Sequence, residues 1–184
     1  MLRIIAGKYK GSLIEQPDKN ITRSTTDRVR ESIFNCIQNN VEKAIVLDLF
    51  SGSGAMAIES ISRGSMKAIC VDNSRDSISI INKNINKLLI ENIDIYNKDA
   101  LEFLVNKKGT KYDLIFLDPP YIKFDLLNSA LKIMEDNFFL NTYGKIVIET
   151  NEENFKKIII PKKFIIDRIK KYGNTIIILI NNIL

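Results

Sequence analysis

The residues best placed by type and spacing to do chemistry are Asp118-Pro119-Pro120-Tyr121. They follow Tyr112-Asp113-Leu114-Ile115-Phe116-Leu117, a short apolar run that stops at two prolines and reads as a buried strand. The prolines remove two backbone N–H donors and leave the carbonyls of Asp118 and Pro119 without a ladder partner, which makes a rigid corner rich in acceptors. An exocyclic amino group on a planar base is a flat double donor. The Asp118 carboxylate and the fixed Pro119 carbonyl can accept its two hydrogens while the Tyr121 ring stacks on the base. The plainer alternative is that the Pro-Pro pair only ends a strand. What lies upstream decides between them.

Upstream, Ile45-Val46-Leu47-Asp48-Leu49-Phe50 reads as a second buried strand, which Ser51-Gly52-Ser53-Gly54 turns into a helix from Ala55 to Arg63, ending at Gly64. A strand from Lys67 to Val71 carries Asp72 at its tip, and the helix after it, Ser74 to about Ile90, has Ile78, Ile81, Ile85, Leu88 and Leu89 on one stripe. The strand Ile93 to Tyr96 leads into Asp99-Ala100 and a further helix. Beyond the Pro-Pro corner come a helix from about Asp125 to Asp136 and a strand from Lys145 to Glu149. The tail is strand, turn, strand: Lys163 to Ile169, Tyr172-Gly173-Asn174, Thr175 to Ile180. Strands alternating with helices imply a parallel α/β sheet covered on both faces, closed here by an antiparallel hairpin. Ligands of such sheets sit beyond the carboxyl ends of the strands, so Asp48, Gly52, Gly54, Asp72, Asp99 and Asp118 should share one crevice.

The glycine loop raises the question of a dinucleotide. Asp48-x-Phe50-x-Gly52-x-Gly54 has Ala57 where a third glycine would stand, a mismatch too small to exclude NAD. Asp72 can accept from ribose hydroxyls of either an NAD or an adenosyl ligand. The acid inside the first strand separates them. A carboxylate at Asp48 sits poorly beside a pyrophosphate but accepts well from a cationic amino group, directly or through water. S-adenosylmethionine has that ammonium and no phosphate. Asp99 can then take the adenine amine, with Ala100 offering a backbone N–H, although an aspartate in that position also caps the following helix.

The chain begins differently. Residues 2–15 hold two apolar runs separated by Gly7 and Gly11 and read as a small hairpin. A hydroxyl-rich cap region, Thr22 to Asp27, precedes a helix whose apolar positions are Val29, Ile33, Phe34 and Ile37. Arg23, Arg28 and Arg30 near its start can meet a carboxylate or phosphate, or simply line a solvated face. Net charge is +5, unevenly placed: residues 1–31 carry seven Lys/Arg against four Asp/Glu, and residues 155–184 carry seven against one. Basic ends around an acidic centre suit a catalytic body with phosphate-contacting flanks, and equally suit a solubility surface. No histidine is present, which excludes a His-based triad or a His-ligated zinc, and Cys36 and Cys70 read as core residues rather than a disulfide or metal pair. No apolar run reaches the length of a membrane span or forms a secretory leader, so a cytoplasmic protein is expected.

Taken together, Arg3-Ile-Ile-Ala-Gly, Arg23-Ser-Thr-Thr-Asp-Arg-Val-Arg-Glu, Asp48-Leu-Phe-Ser-Gly-Ser-Gly, Ser62-Arg-Gly, Asp118-Pro-Pro-Tyr and Tyr172-Gly-Asn resemble the RsmD family of bacterial 16S rRNA guanine-N2 methyltransferases. The resemblance runs from residue 3 to about residue 180 and implies a class I methyltransferase sheet of seven strands, S-adenosylmethionine as donor and one guanine of the small ribosomal subunit, or of its late assembly intermediate, as acceptor. Ser24, Ser51 and Asp72 stand where the family usually has proline, alanine and glutamate. On this reading residues 1–40 form an extension and 41–184 the methyltransferase domain. The expected catalytic residues are Asp118, Pro119, Pro120 and Tyr121. Arg28, Asp48, Phe50, Gly52, Gly54, Asp72, Asp99 and Ala100 are expected at the donor, and Arg3, Lys8, Lys10 and Arg23 at the RNA. No metal and no membrane partner are expected, and a monomer is the default. A DNA adenine-N6 or cytosine-N4 methyltransferase can use the same corner; a non-catalytic RNA-binding assembly factor and an NAD oxidoreductase are the other competing readings.

Overall fold

A computed structural model describes residues 1–17, 27–123 and 125–183 of the chain. Arg23 lies outside these residues, as does the Tyr121 side chain. The chain opens with a two-stranded antiparallel ladder, β1 (Leu2–Arg3) with β2 (Leu13–Ile14), followed by α1 (Asp27–Cys36). From there strands and helices alternate: β3 (Ile45–Asp48), α2 (Ala55–Ser62), β4 (Lys67–Asp72), α3 (Arg75–Leu88), β5 (Ile93–Asn97), α4 (Ala100–Asn106), β6 (Tyr112–Leu117), α5 (Asp125–Asp136) and β7 (Leu140–Asn151). A short α6 (Glu152–Phe155) leads to the closing hairpin, β8 (Phe164–Tyr172) and β9 (Thr175–Asn182).

The seven strands β3–β9 form one sheet in the order β5-β4-β3-β6-β7-β9-β8, with β3 to β7 parallel and β9 antiparallel to both β7 and β8. The alternation of side chains along the strands builds two cores. On one face Val46, Cys70, Phe116, Val147 and Leu179 meet α1, α2 and α3 through Phe34, Ile58 and Ile81. On the other face Leu47, Val71, Ile115, Ile148 and Ile178 meet α4 and α5 through Phe103, Leu104, Leu131 and Met134. Being covered on both sides makes β3, β4 and β6 near-continuous apolar runs, which is why they were legible as buried strands.

Leu2, Ile4 and Ile14 of the opening segment belong to the first of these cores. Glu59, fully buried on α2, accepts the backbone N–H groups of Ile5 at 2.8 Å and Ala6 at 3.0 Å. At Gly7 the chain presses so close to α2 that a Cβ would lie 1.7 Å from the Ser62 carbonyl oxygen, and the φ of +80° suits only glycine there.

The strand β7 is longer than the segment Lys145 to Glu149. It starts at Leu140 across a register irregularity in β6 between Tyr112 and Leu114, where Gly144 packs tightly enough that a Cβ would meet the Leu140 side chain at 2.8 Å. Among the described residues no helix is long and apolar enough to cross a membrane, and no group of three potential metal-ligating side chains gathers.

Candidate active site

The strand order reverses at β3, whose neighbours are β4 on one side and β6 on the other, so the crevice opens above the carboxyl ends of β3 and β6. The registers then set the acids in a staircase. Asp48 pairs with Cys70 and with Phe116, so Asp72 and Asp118 each lie two residues beyond it on the flanking strands, about 6.6 Å farther along the strand direction. Asp72 in turn pairs with Asn97, so Asp99 is a further two residues on. Three parallel strands flanking and including β3 thus deliver Asp48, Asp72 and Asp118 to one edge, with Asp99 at its outer end.

Asp48 lies deepest. It is buried, one oxygen accepts from the Ala57 backbone N–H, and Oδ2 has no hydrogen-bond partner. Burial, and secondly the negative charge of Asp72, push its carboxyl up to about 7. An unpartnered carboxylate oxygen in a dry site is costly unless a donor or a cation completes it. A ligand ammonium is such a group, and the donor set therefore fits S-adenosylmethionine.

The loop above Asp48 is held from three sides. Ser51 Oγ donates to the Asp48 carbonyl at 2.7 Å and accepts from Val71 N–H at 2.9 Å, tying the end of β3 to β4. Asp72 Oδ2 accepts from Gly52 N–H and Oδ1 from Ser74 N–H, both at 2.8 Å; burial raises its carboxyl while these two bonds oppose the rise. Asn84, buried on α3, donates to the Ser53 carbonyl at 3.0 Å and also grips Glu15, accepting its N–H at 2.7 Å. Gly54, at φ +76°, then turns the chain into α2 with Ile81 packed against its Cα. Asp72 thus shapes the loop as well as facing the crevice.

The remaining expected residues fall as follows. Asp99 is exposed and caps α4, its Oδ1 accepting from Leu101 N–H at 2.9 Å and Glu102 N–H at 3.1 Å, while Ala100 beside it is buried. Phe50, half-buried, packs on the α4–α5 core. At the corner, Asp118 is half-buried, Pro119 buried and Pro120 exposed; the Pro120 carbonyl accepts from Lys123 N–H at 2.8 Å, closing a tight turn over Tyr121–Lys123. Arg28 is exposed on α1. Arg3, Lys8 and Lys10 are exposed on the opening hairpin, with Lys8 Nζ 5.1 Å from the centre of the Tyr9 ring.

Arg30 behaves unlike its neighbours. It is fully buried and donates to the Arg3 carbonyl and to Asp27 at 3.0 Å, with its Nε 3.8 Å from Glu59. Arg63 reaches Glu59 at 2.7 Å from the other side. Glu59 and Asn84, which pin the hairpin to the helices behind the glycine loop, were not singled out from the sequence. The signal was present in α2: a glutamate amid Ala-Met-Ala-Ile-Glu-Ser-Ile-Ser, too apolar a helix to expose a charged face. Tyr172, part of the Tyr-Gly-Asn motif, hydrogen-bonds Ser32 and so ties the closing hairpin to α1.

Comparison with known proteins places this chain among methyltransferases. The profile of the family described as Conserved hypothetical protein 95 matches residues 2–181. The chain is 36% identical over 171 residues to the Ribosomal RNA small subunit methyltransferase D of Buchnera aphidicola subsp. Baizongia pistaciae, covering 92% of this chain and 86% of that protein. It is also 36% identical over 153 residues to the protein of the same name from Escherichia coli K12, covering 83% and 76%. The structure of yhhF from Escherichia coli superposes with a TM-score of 0.89 at 32% identity, over all of this chain and 98% of that one. By profile, sequence and fold together, the chain belongs to the Conserved hypothetical protein 95 family, the RsmD methyltransferases.

Proposed function

We propose that this protein transfers a methyl group from S-adenosylmethionine to the exocyclic N2 of a guanine in 16S rRNA, acting as a monomer in the cytoplasm on the small ribosomal subunit or its late assembly intermediate. That it is a methyltransferase using S-adenosylmethionine follows from its family. The nucleotide chemistry is the further step. The observation that carries it is the pairing of β3 with β6, which sets a buried carboxylate with one unpartnered oxygen, Asp48, beside a strand that ends in an acceptor-rich corner, Asp118-Pro119.

S-adenosylmethionine, when bound, supplies an electrophilic methyl on a sulfonium. The chain's own residues do the rest. Asp48 holds a cationic amine at the bottom of the crevice. Asp72 orients the glycine loop and accepts from ribose hydroxyls, and Asp99 and Ala100 face the adenine edge. Phe50 packs against the donor from the wall of the crevice, and Arg28 contributes charge to donor binding from α1. At the corner, Asp118 and the Pro119 carbonyl accept the two hydrogens of N2, which raises electron density on a nitrogen whose lone pair is otherwise drawn into the ring. Pro120 keeps the corner rigid, and Tyr121 stacks on the base. After attack the nitrogen is cationic and loses a proton readily, and Asp118 takes it. Arg3, Lys8, Lys10 and Arg23 contact phosphates, which position the RNA without reading its sequence.

The test is transfer of labelled methyl from S-adenosylmethionine to small subunits lacking the modification, with naked 16S rRNA and genomic DNA alongside, followed by nucleoside analysis. N2-methylguanosine from subunits is the expected result. Label in DNA as N6-methyladenine or N4-methylcytosine would overturn it.

A further inference from the structure

Ile122 is 99% exposed, the highest value among the large hydrophobic side chains of the described residues. Scattered exposed apolar residues are ordinary, so exposure alone says little. Its position says more. Ile122 is the middle residue of the tight turn Tyr121–Lys123, held by Lys123 N–H on the Pro120 carbonyl and stiffened by Pro119 and Pro120 before it. A branched apolar side chain is therefore presented to solvent on a rigid tip, four residues past Asp118, with exposed Lys123 next to it.

The chemistry proposed for this corner creates a need that such a tip meets. The N2 lone pair belongs to the π system, so the methyl must approach perpendicular to the base plane. In a stacked strand that approach is filled by the neighbouring base. The target must leave the stack before it can react, and unstacking costs a few kcal/mol unless something fills the gap. Apolar side chains inserted between bases do so in other nucleic-acid complexes.

We infer that Ile122 is a wedge: it enters the RNA stack at the place vacated by the target base and holds that base against Asp118 and Pro119, while Lys123 meets a flanking phosphate. The ligand is a stacked single strand or loop of RNA. The inference rests on the proposed reaction at the corner and adds a residue that contacts substrate without touching the reacting atoms.

The experiment compares wild type, Ile122→Ser and Ile122→Leu in methyl transfer to unmodified small subunits, with S-adenosylmethionine affinity and thermal unfolding measured in parallel. Serine at a fully exposed site leaves folding and donor binding unchanged. Turnover at saturating subunits should fall about ten- to a hundredfold in Ile122→Ser, the scale of an uncompensated unstacking step, and leucine should restore most of it. Ile122→Ser turning over within about twofold of wild type would overturn the wedge, as would a loss confined to KM, which marks a docking contact. A leucine variant as impaired as serine would also overturn it. If wild type transfers nothing to subunits while binding the donor, the proposed rRNA reaction fails, and the wedge with it.

Discussion

Replacing Asp48 by asparagine separates the two roles that its burial forces on it. In the free protein the carboxyl is pushed up to about 7 by desolvation and by Asp72, against an ordinary value of 3.8. Between those two values the folded state holds a proton that the unfolded chain has lost. Stability is therefore fully present below pH 3.8 and is lost as pH rises toward about 7. Carried through the whole window, the shift corresponds to a ceiling of about 4 kcal/mol. An asparagine side chain cannot ionise, so Asp48→Asn should unfold at a higher temperature than wild type at about pH 8, with the gap closing as the buffer is made acidic, where the wild-type carboxyl is neutral as well.

Donor binding should move the other way. A charge-assisted contact between Asp48 and a ligand ammonium contributes about 1.5–3 kcal/mol, so the variant should bind S-adenosylmethionine about ten- to a hundred-and-fiftyfold more weakly at about pH 8. Wild-type affinity should rise through neutral pH as Asp48 ionises, and the variant should lack that rise. The ligand's own amine loses its proton at higher pH in both proteins, which makes the difference between the two curves the informative quantity. Calorimetric titration across this range, with thermal melts of the free and donor-bound proteins, measures all of it. A variant that binds the donor within about twofold of wild type, on a parallel pH profile, would refute the assignment of Asp48 to the ammonium.

Asp118→Asn should lower turnover by at least about a hundredfold with S-adenosylmethionine affinity nearly intact, since the proposed reaction sets this carboxylate on the acceptor and its proton; equal loss of donor binding would move Asp118 to the cofactor side. Glu59→Ala should destabilise by about 3–5 kcal/mol, because it strands the buried Arg30 and the N–H groups of Ile5 and Ala6, and denaturant unfolding reads this directly. Gly7→Ala should lower the melting temperature sharply, because its Cβ would overlap the Ser62 carbonyl; an unchanged melt would mean that the hairpin does not sit on α2 as described. Neutralising Lys8 and Lys10 together should weaken subunit binding and flatten its salt dependence by a slope of about 1.5 to 2, with turnover at saturation preserved.

The sheet was legible because its signals are local. Apolar runs such as Ile45-Val46-Leu47 and Leu114-Ile115-Phe116 are cut off by Gly or Pro, and an acid stands at or just past the carboxyl end of each strand. Parallel pairing turns that one-dimensional repetition into a shared crevice, so a pattern along the chain becomes a site without any knowledge of distances. What was not legible are the contacts that join segments far apart. Arg30 shares its motif with Arg23 and Arg28, and although its spacing from Ile33, Phe34 and Ile37 sets it on the apolar stripe of α1, nothing within the motif shows what it meets there. Its identity as a buried ion depends on Glu59, which lies twenty-nine residues later and accepts from the opening segment as well. Asn84 is likewise one of many asparagines until Glu15 and Ser53 are brought to it. Glu59 on α2 and Asn84 on α3 both join the opening segment to the helices packed behind the glycine loop, so the basic side chains Arg3, Lys8 and Lys10 are carried by the same unit that holds Asp48 and Gly52. If that hairpin contacts RNA phosphates as proposed, the contact would set where the RNA stands relative to the donor, a register that no single motif encodes and that two buried polar side chains would fix.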